Sequence, residues 1–242
     1  MAKNKKINLF NGERNERYDY IVTKEQPLSY TAESFQKVII NLDYVNLDGK
    51  HKVIEFTSAL ASEGKSTFVS NIAYLMGQKN KKVILLDLDL RKPKMHRVFN
   101  APNKNGLTDY LSGKIEYNQL IKHSDEVGID YIVTGEKTTA VVNVLEADKM
   151  KQLIQKLRET YDFVLLDAPP VIAVSDALYI AKNADGVIFI VAQGVAKKSL
   201  VKEAIQTLKT NHVPIIGTVL TQVSLKNSSY GYGYDYSYKY EE

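Results

Sequence analysis

Three short segments of this chain carry residue types suited to handling phosphate and a divalent cation. The first is Ala59-Leu-Ala-Ser-Glu-Gly-Lys-Ser66, followed by Thr67. It fits the phosphate-loop pattern, with alanine in place of the first glycine. Such a loop turns backbone N–H groups inward at phosphate oxygens, and the helix after it presents an N-terminus that favours negative charge. Lys65 then reaches the terminal phosphates and the Ser66 hydroxyl can ligate magnesium. Ala59, Ser62, Glu63, Gly64, Lys65, Ser66 and Thr67 form the candidate nucleotide-binding loop. The second segment is Leu86-Asp-Leu-Asp-Leu-Arg-Lys-Pro93. Asp87 and Asp89 are two apart, so in extended chain they point the same way. Two acids facing a triphosphate repel it, but beside magnesium they are suitable oxygen donors. Arg91 either stabilises transferring charge or pairs with an acid. The third segment, Phe163-Val-Leu-Leu-Asp167-Ala-Pro-Pro170, has the Walker B pattern, in which the acid orients the magnesium shell. The candidate catalytic residues are Lys65, Asp87, Asp89, Asp167 and Arg91, and the candidate metal ligands Ser66, Asp89 and Asp167.

These segments need a scaffold that brings them together, and the apolar pattern supplies one. Short runs rich in Val, Ile and Leu predict strands at 53–57, 82–87, 129–134, 162–167, 186–192 and 213–219. Helical patterns are expected from the loop to about Lys79, over 146–159, 175–183 and 197–210, with short helices broken by Gly113 over 106–122. Near-continuous apolar strands between helices predict an α/β fold of the P-loop NTPase type, a mostly parallel sheet covered by helices on both faces. Such sheets bind ligands at the carboxyl ends of their strands, where all three motifs fall. Ahead of the core, Phe35, Val38, Ile39 and Leu42 recur at helical spacing within 29–45.

The chain divides into a polar N-terminal arm over 1–27, a P-loop domain over 28–223, and a tail over 224–242. The tail carries Tyr230, Tyr232, Tyr234, Tyr236, Tyr238 and Tyr240 among Gly, Ser and charged residues, a composition expected to be disordered. It is slightly acidic, which argues against a stacking tail for single-stranded nucleic acid. The rest of the composition, 44% hydrophobic and 25% charged in 242 residues, is that of a globular domain. A net charge of +4 is too weak to argue for nucleic acid. Cysteine is absent, which excludes disulfides and thiolate metal sites. His51, His96, His123 and His212 show no metal-ligand spacing. No apolar run approaches the roughly 18 residues of a membrane span, and Met1 to Phe10 lacks the apolar core of a secretory signal.

Ser62-Glu-Gly-Lys-Ser-Thr67, Leu86-Asp-Leu-Asp-Leu-Arg-Lys-Pro93, Asp167-Ala-Pro-Pro170 and the terminal tyrosine cluster together resemble the bacterial tyrosine kinases of capsule and exopolysaccharide synthesis, over roughly residues 28–242. The resemblance implies a protein-tyrosine kinase that uses ATP and Mg2+ and phosphorylates the tail tyrosines, chiefly on a neighbouring subunit. It also implies a membrane-anchored activator of the polysaccharide co-polymerase type with a cytosolic segment, a cognate tyrosine phosphatase, and a cytoplasmic location at the inner face of the membrane. Either Asp87 or Asp89 is placed to accept the phenol proton. Partitioning and metal-transport ATPases share the expected fold but carry a lysine at the second loop position, which here is Leu60. A non-kinase ATPase switch and a nucleotide-binding scaffold are the alternatives. Two stretches depart from the kinase pattern. Glu33, Gln36 and Ile39 stand where the family's ring-forming Glu-x-x-Arg-x-x-Arg would be, and Ala140-Val-Val-Asn-Val-Leu145 replaces Asn-Pro-Ser-Glu-Leu-Leu.

Overall fold

Among the described residues, seven strands form one sheet in the order β3-β4-β2-β5-β1-β6-β7. The computed structural model describes residues 21–224, so the arm up to residue 20 and the tail tyrosines Tyr230 to Tyr240 lie outside the described residues. The strands are β1 (Val53–Ser58), β2 (Val83–Asp87), β3 (Lys122–Ser124), β4 (Ile129–Ile132), β5 (Phe163–Asp167), β6 (Gly186–Ala192) and β7 (Ile215–Thr221). The helices are α1 (Val22–Glu25), α2 (Tyr30–Val45), α3 (Lys65–Gln78), α4 (Met95–Val98), α5 (Leu107–Leu111), α6 (Tyr117–Leu120), α7 (Val141–Glu146), α8 (Asp148–Thr160), α9 (Asp176–Ala181) and α10 (Lys198–Thr210). All strand pairs are parallel except β3 with β4.

Alternation along the strands decides what each face packs against. Ile54, Phe56, Val83, Leu85 and Leu165 face a core built with Ile39 of α2, Phe68 and Ile72 of α3 and Met95 of α4. Val53, Ile84, Leu86, Val164 and Leu166 face the other way, onto Leu145 of α7, Leu153 and Leu157 of α8 and Ile180 of α9. Val187 and Phe189 extend that second face over Ala177 of α9 and Ala204 and Leu208 of α10. A two-residue period with apolar residues on both sides is what a sheet covered twice requires. Glu55 breaks the pattern: it is fully buried and neither carboxylate oxygen has a partner.

Three expectations need correction. The polar arm does not run to residue 27, because Ile21, Val22 and Thr23 are buried. The Thr23 N–H and hydroxyl both donate to Asn71 Oδ1 at 2.9 Å, which fixes α1 on α3. The expected strand set omits one: after the short helices of 106–122, Lys122–Ser124 pairs antiparallel with β4 as an edge strand. Lys-His-Ser has no apolar alternation, so its register with Ile129, Asp130 and Tyr131 is set by the neighbour alone. The last strand runs 215–221 rather than 213–219, with a register irregularity opposite Val187/Ile188. Gly113 does interrupt the short helices, at φ +78°. The helix before the core begins where capping predicts, with Ser29 Oγ accepting from the Ala32 N–H at 3.1 Å.

Candidate active site

The loop leaves the end of β1, an interior strand between β5 and β6, and runs directly into α3. Ser62 and Gly64 take left-handed backbone, at φ +64° and +83°, and Gly64 caps α3. Ala59 is fully buried and is not among the left-handed positions, so an alanine can stand where the pattern has glycine. The Glu63 side chain is fully buried. Its two carboxylate oxygens accept the N–H of Leu60 at 2.6 Å and of Ala192, at the end of β6, at 2.8 Å. Glu63 is thus a brace of the loop, and any contact it makes to phosphate comes from its backbone.

Lys65 opens α3 and is only 8% exposed. Burial lowers its pKa, and the charges of Asp167 and Asp89 partly offset that. The Ser66 hydroxyl donates to Asp167 Oδ2 at 2.5 Å. Asp87 and Asp167 are the last residues of β2 and β5 and are paired in register. Both carboxyls are pushed up, first by burial. For Asp87 the next cause is the charge of Asp167; for Asp167, Lys65 and the Ser66 hydrogen bond work the other way. Asp89 is also raised by burial, against a hydrogen bond from the Lys92 N–H and the charge of Lys65. The three acids and Lys65 therefore converge at one end of the sheet, beside the loop, as the motif positions predict. Thr67 follows Ser66 in the first turn of α3, where its carbonyl accepts from Asn71 Nδ2 at 2.8 Å.

The two acids of the second motif are not equivalent. Asp87 is 1% exposed and accepts the N–H of Lys94 and Met95 at 2.9 Å each and of Asp89 at 3.3 Å, which shapes the turn into α4. Asp89 is partly exposed and accepts the Lys92 N–H at 3.0 Å. Arg91 is committed to an acid that the sequence does not single out. Its Nε and Nη2 donate to the two oxygens of the fully buried Asp176 at 2.7 and 3.0 Å. Asp176 opens α9, and no local spacing signals a pair formed across 85 residues.

The donor set suits magnesium. Asp167 Oδ1 is buried without a hydrogen-bond partner. Three acids whose ionisation is opposed by burial also gain from a nearby cation. Among the described residues no group of three or more His, Cys, Asp or Glu side chains forms a ready-made metal cage. That agrees with magnesium, which is usually held by one or two carboxylates together with waters and substrate phosphates.

A profile for the AAA domain family matches residues 51–215. Tyrosine-protein kinase YwqD of Bacillus subtilis is 32% identical over 212 residues, covering 87% of this chain and 90% of that protein. The chain belongs to the bacterial tyrosine kinases. Tyrosine-protein kinase etk of Escherichia coli K12 is 30% identical over 227 residues, and there the chain spans 31% of the relative's length. Among solved structures, the kinase domain of Escherichia coli tyrosine kinase ETK superposes with a TM-score of 0.80 at 28% identity, over 89% of this chain and 85% of that one. The chimerical protein CapA2B2 gives 0.77 at 27%, over 83% and 88%. The septum site-determining protein MinD of Pyrococcus horikoshii shares the fold at a TM-score of 0.59 and 23% identity, over 70% of this chain and 69% of that one. In this chain Asp87 closes β2, Asp89 follows two residues later, and Asp167 closes β5 beside them.

Proposed function

We propose that this kinase transfers the γ-phosphoryl group of ATP to tyrosine hydroxyls, among them Tyr230, Tyr232, Tyr234, Tyr236, Tyr238 and Tyr240 of another copy of the chain. The observation that carries the reading is the convergence of Lys65, Ser66, Asp89 and Asp167 beside the loop, in a chain 32% identical to a tyrosine-protein kinase over most of both lengths. Loop amides and Lys65 bind the phosphates and offset their charge. Ser66, Asp89 and Asp167 would hold magnesium, directly or through water. A bound ion supplies positive charge against the phosphate oxygens. The new bond joins the tyrosine oxygen to the γ-phosphorus, the bond from that phosphorus to the bridging oxygen of ADP breaks, and the phenol proton leaves to a carboxylate. Asp89 suits that last role better than Asp87, whose oxygens are taken up by three backbone N–H groups. Arg91 acts through Asp176 to hold the segment after β2 against α9.

The site is proposed to act in polysaccharide production. Relatives include a putative tyrosine-protein kinase in the cps region of Klebsiella pneumoniae, 31% identical over 215 residues, where this chain covers 29% of the relative's length. Among the described residues no helix is long and apolar enough to cross a membrane. Recruitment to the inner face of the membrane is assigned to a membrane-anchored activator with a cytosolic segment, and reversal of the modification to a tyrosine phosphatase. The test is mass spectrometry of the full chain after incubation with ATP and Mg2+, with and without a candidate activator segment. The expected product is phosphotyrosine between residues 230 and 240. ADP formation without phosphotyrosine would instead identify an ATPase switch.

A further inference from the structure

Ser62 and Glu63 present consecutive backbone carbonyls to the end of β7. Gln222 Nε2 donates to the Ser62 carbonyl at 3.0 Å, and Thr221 Oγ1 donates to the Glu63 carbonyl at 2.8 Å. The Thr221 hydroxyl has a single proton, and its other neighbour, the Val191 carbonyl, lies farther off at 3.5 Å. A trans peptide unit is planar, so its C=O and the N–H of the next residue point in opposite directions. Holding the carbonyls of Ser62 and Glu63 toward β7 therefore turns the N–H groups of Glu63 and Gly64 the other way. Among the described residues, those two N–H groups donate to no backbone carbonyl. They are the donors that a phosphate loop offers to its ligand.

The contact holds strained backbone on both sides. Ser62 lies at φ +64° and Gln222 at φ +54°, a region that side-chain-bearing residues rarely adopt unless their surroundings enforce it. Glu63 secures the same loop from the other direction through Leu60 and Ala192. Just beyond Gln222, the Ser224 N–H donates to Gln193 Oε1 at 2.9 Å, and the chain continues into the segment that bears the six clustered tyrosines.

We propose that Thr221 and Gln222 are positioning residues that aim the Glu63 and Gly64 amides at the phosphates of a bound nucleotide, and so tie the phosphate loop to the root of the tyrosine-bearing segment. This rests on the nucleotide-binding reading above. Binding and packing contribute separately, because Gln222 is exposed and the hydroxyl of Thr221 can be removed without changing its shape.

The experiment measures binding of a fluorescent ADP analogue to the full chain carrying Thr221→Val, Gln222→Ala, both, or Thr221→Ser. Valine keeps the branched shape that suits a strand, and serine keeps the hydroxyl. The expected dissociation constant rises about threefold for each single loss and about tenfold for the double variant, the scale of one and two ordinary hydrogen bonds. Thr221→Ser recovers the wild-type value. In turnover, KM for ATP rises while KM for an exogenous tyrosine peptide stays put, a split that general loosening would not produce. A double variant with wild-type affinity would overturn the proposal, as would a Thr221→Ser as weak as Thr221→Val. A wild-type chain that binds no nucleotide would overturn the reading on which it rests.

Discussion

Asp87 and Asp167 sit opposite each other as the closing residues of two neighbouring parallel strands, with the Leu88 N–H donating to the Asp167 carbonyl at 2.9 Å. Only Asp167 also holds the Ser66 hydroxyl. Their contacts divide accordingly: Asp87 accepts backbone N–H groups of the turn into α4, and Asp167 is tied to the phosphate loop. Asp167→Asn and Asp89→Asn are each expected to lower turnover about 10–100-fold and to raise the magnesium concentration needed for half activity. Magnesium titrations of phosphotyrosine formation measure both effects. Full activity of both variants at all magnesium concentrations would make these acids structural.

Lys65→Met should reduce phosphorylation about 10²–10³-fold, the usual cost of losing one preorganised charge at a transferring group. The fold should survive, because the lysine occupies a buried place where its own charge is disfavoured. Circular dichroism and phosphotyrosine detection on the same sample separate the two effects. Phosphotyrosine equal to wild type would remove Lys65 from the mechanism.

Glu55 gives a pH dependence of stability with a definite sign. Burial raises its pKa well above the ordinary 4.5, and neither oxygen has a hydrogen-bond partner. Between the ordinary value and the raised one, the folded chain holds a proton that the unfolded chain has released. The unfolded state therefore binds fewer protons, and stability falls as pH rises above about 4.5 toward the raised value. Glu55→Leu should remove that slope and stabilise the protein at pH 8 by about 1–3 kcal/mol, the cost of an unsatisfied buried polar group. Urea denaturation of both proteins from pH 5 to pH 9 measures it, and parallel curves would count against the assignment.

The helix α2 bears on self-association. Glu33 and Gln36 are exposed, but Ile39 is 1% exposed and packs in the core with α3. Ile39 is thus unable to offer an outward contact, and an arginine placed there would be a buried unpaired charge. Ile39→Arg is expected to destabilise the fold by more than about 3 kcal/mol instead of building a ring. Light scattering of the wild type at low micromolar concentration should show no tight ring, and a stable one would refute the weakening expected from Gln36 and Ile39.

The β1, β2 and β5 strands and the loop were legible because near-continuous Val/Ile/Leu runs ended on Gly-Lys-Ser or aspartate. Parallel-sheet geometry then required those ends to meet, and the structure brings them together at one end of the sheet. What escaped was set by neighbours instead of local pattern. Lys122–Ser124 is a strand only because β4 offers an edge, and α1 is fixed by the side chain of Asn71. Asp176 gave no sign of pairing with Arg91, and Thr221 and Gln222 gave none of reaching back to the loop. Nothing in the local sequence showed that the two oxygens of Glu63, a residue of the candidate loop, are claimed by the N–H groups of Leu60 and Ala192.

The interior position of β1 has a consequence for biosynthesis. Its two neighbours are β5 and β6, and the loop's own bonds reach across 101 residues to Asp167, 129 to Ala192 and 158 to Thr221. A chain emerging from the ribosome therefore displays an apolar strand and a phosphate loop long before anything exists to pair with them. The site cannot mature with the N-terminal half; it closes only when the last strand arrives. Arrested translation short of β7 would leave an incomplete sheet with a bare hydrophobic edge, the kind of intermediate that chaperones capture.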